Sequence, residues 1–370
     1  MSLNHKSVLL ILGFAFFISL SSSAQTDTAF LSKAITSLEN YTSANANEKV
    51  YLHMDKCNYD LGDTVWYKAY VVIAAHHQLS ALSEVAYVEL ISPADTIMSR
   101  QILHLENGIA LGSLALPDKA KPGYYHIRAY TNWMRNAGAE YFFNQKIHIG
   151  GYETKAEVKP VSGKPDVQFF PEGGWLVNGL RSKVAVKVLN STGYGQNIKG
   201  TVEDDAGNVI VDFATQHLGM GTFAFTPQKG KIYKAKISIG ETSFTTPLPL
   251  AKEEGYTLGI NNSNPDSIFI KVAVNEPLFR QKQHSRFYII AQTAGKIYYT
   301  TAGTLDDMAF TSAVDKKRFP SGIVQFTLFA ENGEPMNERS AFIQNNDILQ
   351  LHIGNIDAPA VRKKVKINLD

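Results

Sequence analysis

One cysteine, Cys57, is all the thiol chemistry in this chain of 370 residues. A lone cysteine closes no intramolecular disulfide, and no Cys/His spacing of a zinc site accompanies it, so an apolar core must hold the fold. Cys57 is expected as a packed or half-buried side chain, the usual state of free cysteine. It also lies well beyond the N-terminal apolar segment, so no cysteine stands where a lipid anchor would attach. An excess of one charge is lacking as well. The 36 basic and 34 acidic residues are interspersed and leave a net charge of +2, without the basic stripe that tracks phosphates, which argues against nucleic acid as a partner. Beyond the first two dozen residues no apolar run approaches the roughly 20 residues that cross a bilayer as a helix, so no transmembrane helix is expected in the mature chain.

Patterns that carry catalysis are missing too. No Gly-x-Ser-x-Gly elbow occurs, and Gly173-Gly174 and Gly219-Met220-Gly221 lack the strand-to-helix setting of a phosphate loop. His76-His77 has no further ligand in spacing. Asp204-Asp205 and Asp306-Asp307 abut turns, where aspartate is favoured for local backbone hydrogen bonds. No catalytic, cofactor or metal residue is assigned, and a non-enzymatic role is expected.

The pattern that is present begins with an export signal. His5 and Lys6 precede the apolar run Val8 to Leu20, and Ser22-Ser23-Ala24 offers small residues for cleavage, so 1–24 reads as a signal peptide. Phe30, Leu31, Ala34, Ile35, Leu38 and Tyr41 recur at helical spacing, which predicts a short amphipathic helix and linker over 25–47. From Lys49 onward the apolar period is two. Ala86, Val88 and Leu90, Tyr125, Ile127 and Ala129, and Val184, Val186 and Val188 alternate with outward residues, and Gly, Pro, Asn and Asp punctuate them.

This grammar predicts an all-β chain of tandem immunoglobulin-like or macroglobulin-like β-sandwiches over 48–150, 165–250 and 254–348, about 85 to 100 residues each. A weak echo supports the tandem: Pro122-Gly123 precedes the strand ending at Tyr130, and Pro320-Ser321-Gly322 precedes the strand ending at Phe329. Within the first unit, Val65 to Val71 is expected inside the sandwich, with Tyr124 to Tyr130 as its partner strand and Ile127 on the inner face. Trp66 and Trp175 are expected in core or interdomain packing. Residues 349–370 alternate like strands but are too few to close another sandwich, so they read as the start of an incomplete β-domain whose strands stay disordered alone or dock on a neighbour.

Several runs together carry a resemblance. They are Lys49-Val50-Tyr51-Leu52-His53 with Asp55-Lys56, Tyr130-Thr131-Asn132-Trp133-Met134-Arg135-Asn136, Phe169-Phe170-Pro171-Glu172-Gly173-Gly174, His217-Leu218-Gly219-Met220-Gly221, and Phe319 to Phe329. Residues 48 to roughly 348 resemble the N-terminal part of exported Bacteroidota proteins in which macroglobulin-like (MG2-type) domains precede a TonB-dependent-receptor plug-like domain. The resemblance implies a protein partner in the cell envelope, such as an outer-membrane β-barrel receptor, and a location in the periplasm or at the outer membrane or cell surface. Two departures stand out. Cys57 replaces the proline that follows Asp-Lys in that pattern, which leaves the corner less rigid, and the cysteine-Gly-Glu-Gln thioester of protease-trapping macroglobulins is absent.

The best candidate contact patch is Tyr130, Asn132, Trp133, Met134 and Arg135, residue types favoured at protein interfaces. The competing assignment is a capping loop that seals the sandwich through Trp133. Function stays open between an envelope interaction scaffold, a macroglobulin-like protease inhibitor without a thioester, and accessory domains of a carbohydrate-active protein. N-terminal sequencing of the exported protein should read from Gln25 or close to it; Met1 on membrane-embedded protein would refute the cleavage assignment.

Overall fold

Helical spacing of the apolar residues after position 24 produces α1 (Gln25–Ala44). The computed structural model describes residues 25–74, 77–150, 164–191, 193–239, 242–345, 347, 350–356 and 367–369; residues 1–24, on which the expected signal peptide falls, His76 and most of 151–164 lie outside them. Phe30, Leu31, Ala34, Ile35 and Leu38 form the half-buried face of α1, whereas Tyr41, counted on the same stripe, is exposed.

Beyond α1 the described residues are mostly β-strand, with one short α-helix in the third unit. The first unit comprises β1 (Glu48–Met54), β2 (Asn58–Tyr59), β3 (Thr64–Ile73), β4 (Gln78–Leu79), β5 (Val85–Ile91), β6 (Ile97–His104), β7 (Ile109–Ala115), β8 (Gly123–Thr131) and β9 (Phe143–Ile149). One layer pairs β3 with β1, β4 and β7, and the other runs β2-β9-β8-β5-β6. Alternation sends Leu52, Val65, Ala69 and Val71 from the first layer, and Val88, Leu90, Ile127 and Ala129 from the second, into one buried cluster. Ile127 is fully buried, as its alternation requires. The expected pairing of β3 with β8 does not occur. The two strands lie in opposite layers and meet only through the core, because β8 takes β5 and β9 as neighbours.

The second unit contains β10 (Asp166–Pro171), β11 (Ser182–Leu189), β12 (Lys199–Asp204), β13 (Val209–His217), β14 (Met220–Phe225), β15 (Tyr233–Ile239) and β16 (Thr242–Pro247). All seven follow a single hydrogen-bonded path, β10-β11-β14-β13-β12-β15-β16. The path changes sides at β13, whose first residues pair with β12 and whose last pair with β14 across a register shift. Val186, Val202, Phe213, Phe223, Ala235 and Ile237 fill the enclosed core.

The third unit comprises β17 (Tyr256–Asn261), β18 (Ser267–Val274), α2 (Glu276–Lys282), β19 (Arg286–Thr293), β20 (Lys296–Thr304), β21 (Ala309–Asp315), β22 (Gly322–Ala330) and β23 (Pro335–Ile343). Its layers are β17-β18-β21 and β20-β19-β22-β23, around Ile268, Ile270, Phe287, Ile289, Phe326 and Leu328. Gly123 and Gly322 open the central strands β8 and β22 at φ of 155° and 136°, a backbone region that a side chain would strain. Further on, β24 (Ile353–Ile356) and β25 (Ile367–Leu369) pair antiparallel with each other.

Polar contacts close the seams. Asn275, 5% exposed, donates from Nδ2 to Asn178 O (3.1 Å) and Glu253 O (2.7 Å) and accepts Gly255 N–H at 3.3 Å. Asn337, equally buried, donates to Gly173 O (2.8 Å) and Tyr256 O (3.1 Å), and Arg339 pairs with Glu172 at 3.1 Å. Gly173 fits only as glycine: its φ is 79°, and a Cβ there would lie 3.0 Å from Leu258 N. Units one and two touch through Lys146, which donates to the Tyr194 hydroxyl at 2.5 Å and sits 4.4 Å from the Tyr124 and Tyr194 ring centres. Phe30 of α1 stacks on Tyr288 of the third unit at 4.4 Å.

Replacing Ile127 by Asp puts an unpaired charge among Val88, Leu90 and Ala129 and should destabilise the first unit by about 4 kcal/mol or more. The check is hydrogen exchange on the full chain, with protection lost across β5, β8 and β9 and kept in β18 and β22; wild-type protection throughout would refute the inward assignment.

Candidate functional site

β8 ends at Thr131, and the chain then makes one 3-10 turn over Trp133–Asn136. In that geometry residues three apart project to the same side, so Thr131 and Met134 turn inward together. Thr131 is fully buried and Met134 is 2% exposed. Their link is direct: Thr131 Oγ1 accepts Met134 N–H at 3.3 Å and donates to Glu48 at 2.6 Å. Met134 therefore takes the sealing position expected of Trp133. Trp133 is 44% exposed, with its indole N–H donating to Ala46 O at 2.6 Å.

Of the five patch residues, Asn132, Trp133 and Arg135 face solvent, whereas Tyr130 and Met134 are buried. Tyr130 serves a network on the outer side of its sheet. Glu89 points away from the core yet is fully buried, because Arg100 (2.7 Å), Arg128 (2.6 Å) and the Tyr130 hydroxyl (3.1 Å) close over its carboxylate. Tyr130 stacks between Tyr87 at 5.4 Å and Phe142 at 4.5 Å, and Asn132 Nδ2 donates to the Tyr87 hydroxyl at 3.2 Å. Burial works against ionisation of Glu89, but the Arg128, Arg100 and Tyr130 hydrogen bonds outweigh it and hold the carboxyl below its ordinary value. Burial, reinforced by the Glu89 carboxylate, pushes the Tyr130 phenol up.

Of the remaining candidates, Trp66 and Cys57 are placed differently from expectation, whereas Trp175 and Asp204 keep the interunit and turn positions expected of them. Trp66 is 61% exposed and Trp175 48%, so neither packs in a core. Trp66 lies out of phase with Val65, Tyr67, Ala69 and Val71, and that alternation is the signal that marks it as outward. Trp175 lines a cleft of about 810 Å3 between units two and three, with Lys252 Nζ 3.6 Å from its ring centre. Cys57 is exposed rather than packed, since it lies in the corner between β1 and β2. Asp204 is a turn anchor: it accepts Ala206 and Asn208 backbone N–H at 3.0 and 2.8 Å. The Asn208 contacts and Lys231 hold its carboxyl down at about 2. Asp306 pairs with His284 at 2.8 Å on the surface. Among the described residues no three His, Cys, Asp or Glu side chains converge on a metal-sized site.

Neither a protein-family model nor a curated protein sequence matches the chain. Among solved structures it is similar to the native conformation of Escherichia coli alpha-2-macroglobulin, at 12% identity and a TM-score of 0.25, over 88% of this chain and 25% of that one. Dimeric latent PorU from Porphyromonas gingivalis matches at 11% identity and a TM-score of 0.34, over 81% and 33%. The Escherichia coli adhesin FdeC matches at 12% and 0.21, over 81% and 98%. The chain thus spans only 25% of the length of that macroglobulin, and no functional assignment rests on these partial likenesses.

Glu89→Gln keeps the shape of the side chain and removes the charge that Arg100 and Arg128 share. A folded value below the ordinary 4.5 means that the ionised carboxylate stabilises the fold above that pH, and that this stabilisation is lost as pH falls through the depressed value. The variant should lose about 2 kcal/mol of local stability at pH 7, and the gap should narrow below pH 4.5. Exchange rates of β5 and β8 amides across pH measure it; a gap independent of pH would refute the electrostatic assignment.

Proposed function

We propose that this chain is an exported, non-enzymatic scaffold of the cell envelope that presents contact surfaces to a protein partner. An outer-membrane β-barrel receptor of a TonB-dependent uptake system is the partner to which the sequence resemblance points. The observation that carries the reading is the junction of units two and three, where buried Asn275 and Asn337 bind backbone groups of both units. Such a junction suits a spacer that holds surfaces at set positions. Supporting it, the buried carboxylates are spent on structure: Glu48 on hydroxyls, Glu89 on two arginines, Asp204 on a turn.

The mature chain, immobilised and exposed to envelope extract, should retain a β-barrel outer-membrane protein. Retention of no such protein, together with inhibition of proteases on large but not small substrates, would favour a macroglobulin-like inhibitor instead. Turnover of a glycan by the purified chain would overturn the non-enzymatic reading.

A further inference from the structure

The layer built on β3 leaves its outer face open. Along β3 the side chains of Trp66, Lys68 and Tyr70 stand outward in line, and the register sets His53 and Leu111 on either side of Lys68 and Tyr51 beside Tyr70. Trp66, Tyr51 and Leu111 are 61%, 58% and 76% exposed. Trp66 and Tyr70 are four residues apart, about 13 Å along the strand. A shallow trough of about 560 Å3 lies at the Trp66 end of this face, with His53, Asp55, Trp66, Lys68 and Leu111 in its walls, and Tyr51 and Tyr70 continue the face beyond it.

Two features of this face restrict what fits it. First, its charge is positive. Lys68 lies at the centre and Lys49 projects on the same side of β1. Asp55, the carboxylate at the end of the trough, already accepts the Tyr59 hydroxyl at 2.7 Å and Trp66 N–H at 3.1 Å. Second, the cation stands among the aromatic rings, with Lys68 Nζ 5.0 Å from the Tyr70 ring centre. Dry protein interfaces are depleted of charge at their centre, because an ammonium buried there loses its water without a matched partner. A hydrated polyanion imposes no such loss and keeps bridging waters. Sugar rings carry C–H faces that complement the electron-rich faces of Trp and Tyr.

We propose that this sheet face binds an anionic polysaccharide strand. One sugar ring lies against Trp66 and another against Tyr51 and Tyr70, the acid group between them pairs with Lys68 beside His53, and Lys49 stands beyond Tyr51 for the next acid group. This inference does not depend on the protein partner proposed above.

Affinity electrophoresis of the full mature chain tests it, in gels containing polygalacturonate or alginate, with hydroxyethyl cellulose as the neutral control. Retardation is expected with the acidic polymers, absent with the neutral one, and weakened by added salt. Trp66→Ala combined with Tyr51→Ala should weaken binding at least about tenfold, and Lys68→Gln should flatten the salt dependence. Both changes are at solvent-facing positions, and unchanged near-ultraviolet circular dichroism confirms the fold. No retardation by either acidic polymer, equal retardation by the neutral one, or unaltered binding by the Trp66/Tyr51 variant would each overturn the assignment. So would a Trp66→Ala variant that loses a retained envelope protein while the parent chain ignores the polysaccharides.

Discussion

Glu48 buries its carboxylate at the first residue of β1, at 2% exposure, and among the described residues it has no salt-bridge partner. Three hydroxyls take up its oxygens instead: Ser80 at 2.5 Å, Ser83 at 2.7 Å and Thr131 at 2.6 Å. A buried carboxylate is tolerated only when its acceptor sites are filled, so the start of β1, the 80–83 loop and the end of β8 must meet at one point. Thr131 then orders the turn that carries Met134 and Trp133, and Trp133 holds the exit of α1 at Ala46. From there α1 reaches the third unit, where Phe30 lies on Tyr288 and near Phe329. One desolvated acid thus links the first sandwich to the helix that touches the last.

The seam between units two and three solves the same problem mainly with neutral groups. An asparagine amide donates and accepts at once, which suits a junction where backbone carbonyls and N–H groups of two units converge. Asn275 satisfies two carbonyls and one N–H, and Asn337 satisfies two carbonyls. The asparagines desolvate no ion, and the Arg339–Glu172 pair beside them stays partly exposed, so the seam avoids most of the cost that a fully buried ion pair would carry.

These structural uses of polar groups bear on function. The buried carboxylates Glu48, Glu89 and Asp204 are committed to closing corners, covering a sheet face and anchoring a turn. Exposed aromatic and cationic side chains gather at three places: Trp66 with Tyr51 and Lys68 on one sheet face, Trp133 with Asn132 and Arg135 at its edge, and Trp175 with Lys252 in the interunit cleft. Surfaces of this composition offer stacking and cation–π contacts to a ligand.

Local periodicity in the sequence determined the all-β character, the helix before it and the inward faces, because a strand's side chains alternate whatever it pairs with: Ile127, Val186 and Leu328 are buried as their period requires. It also held the outward phase of Trp66, a signal overridden by the habit of placing tryptophan in cores. Tertiary structure alone decided the rest. That β8 pairs with β5 and β9 instead of β3, that β13 serves both sides of the second unit, and that Met134 seals where Trp133 was expected all depend on groups distant in the chain. Glu48 meets Thr131 across 83 residues and Asn337 meets Gly173 across 164. No window on the sequence spans such pairs, since their closeness comes from packing, which selects among strand partners that local alternation leaves equivalent.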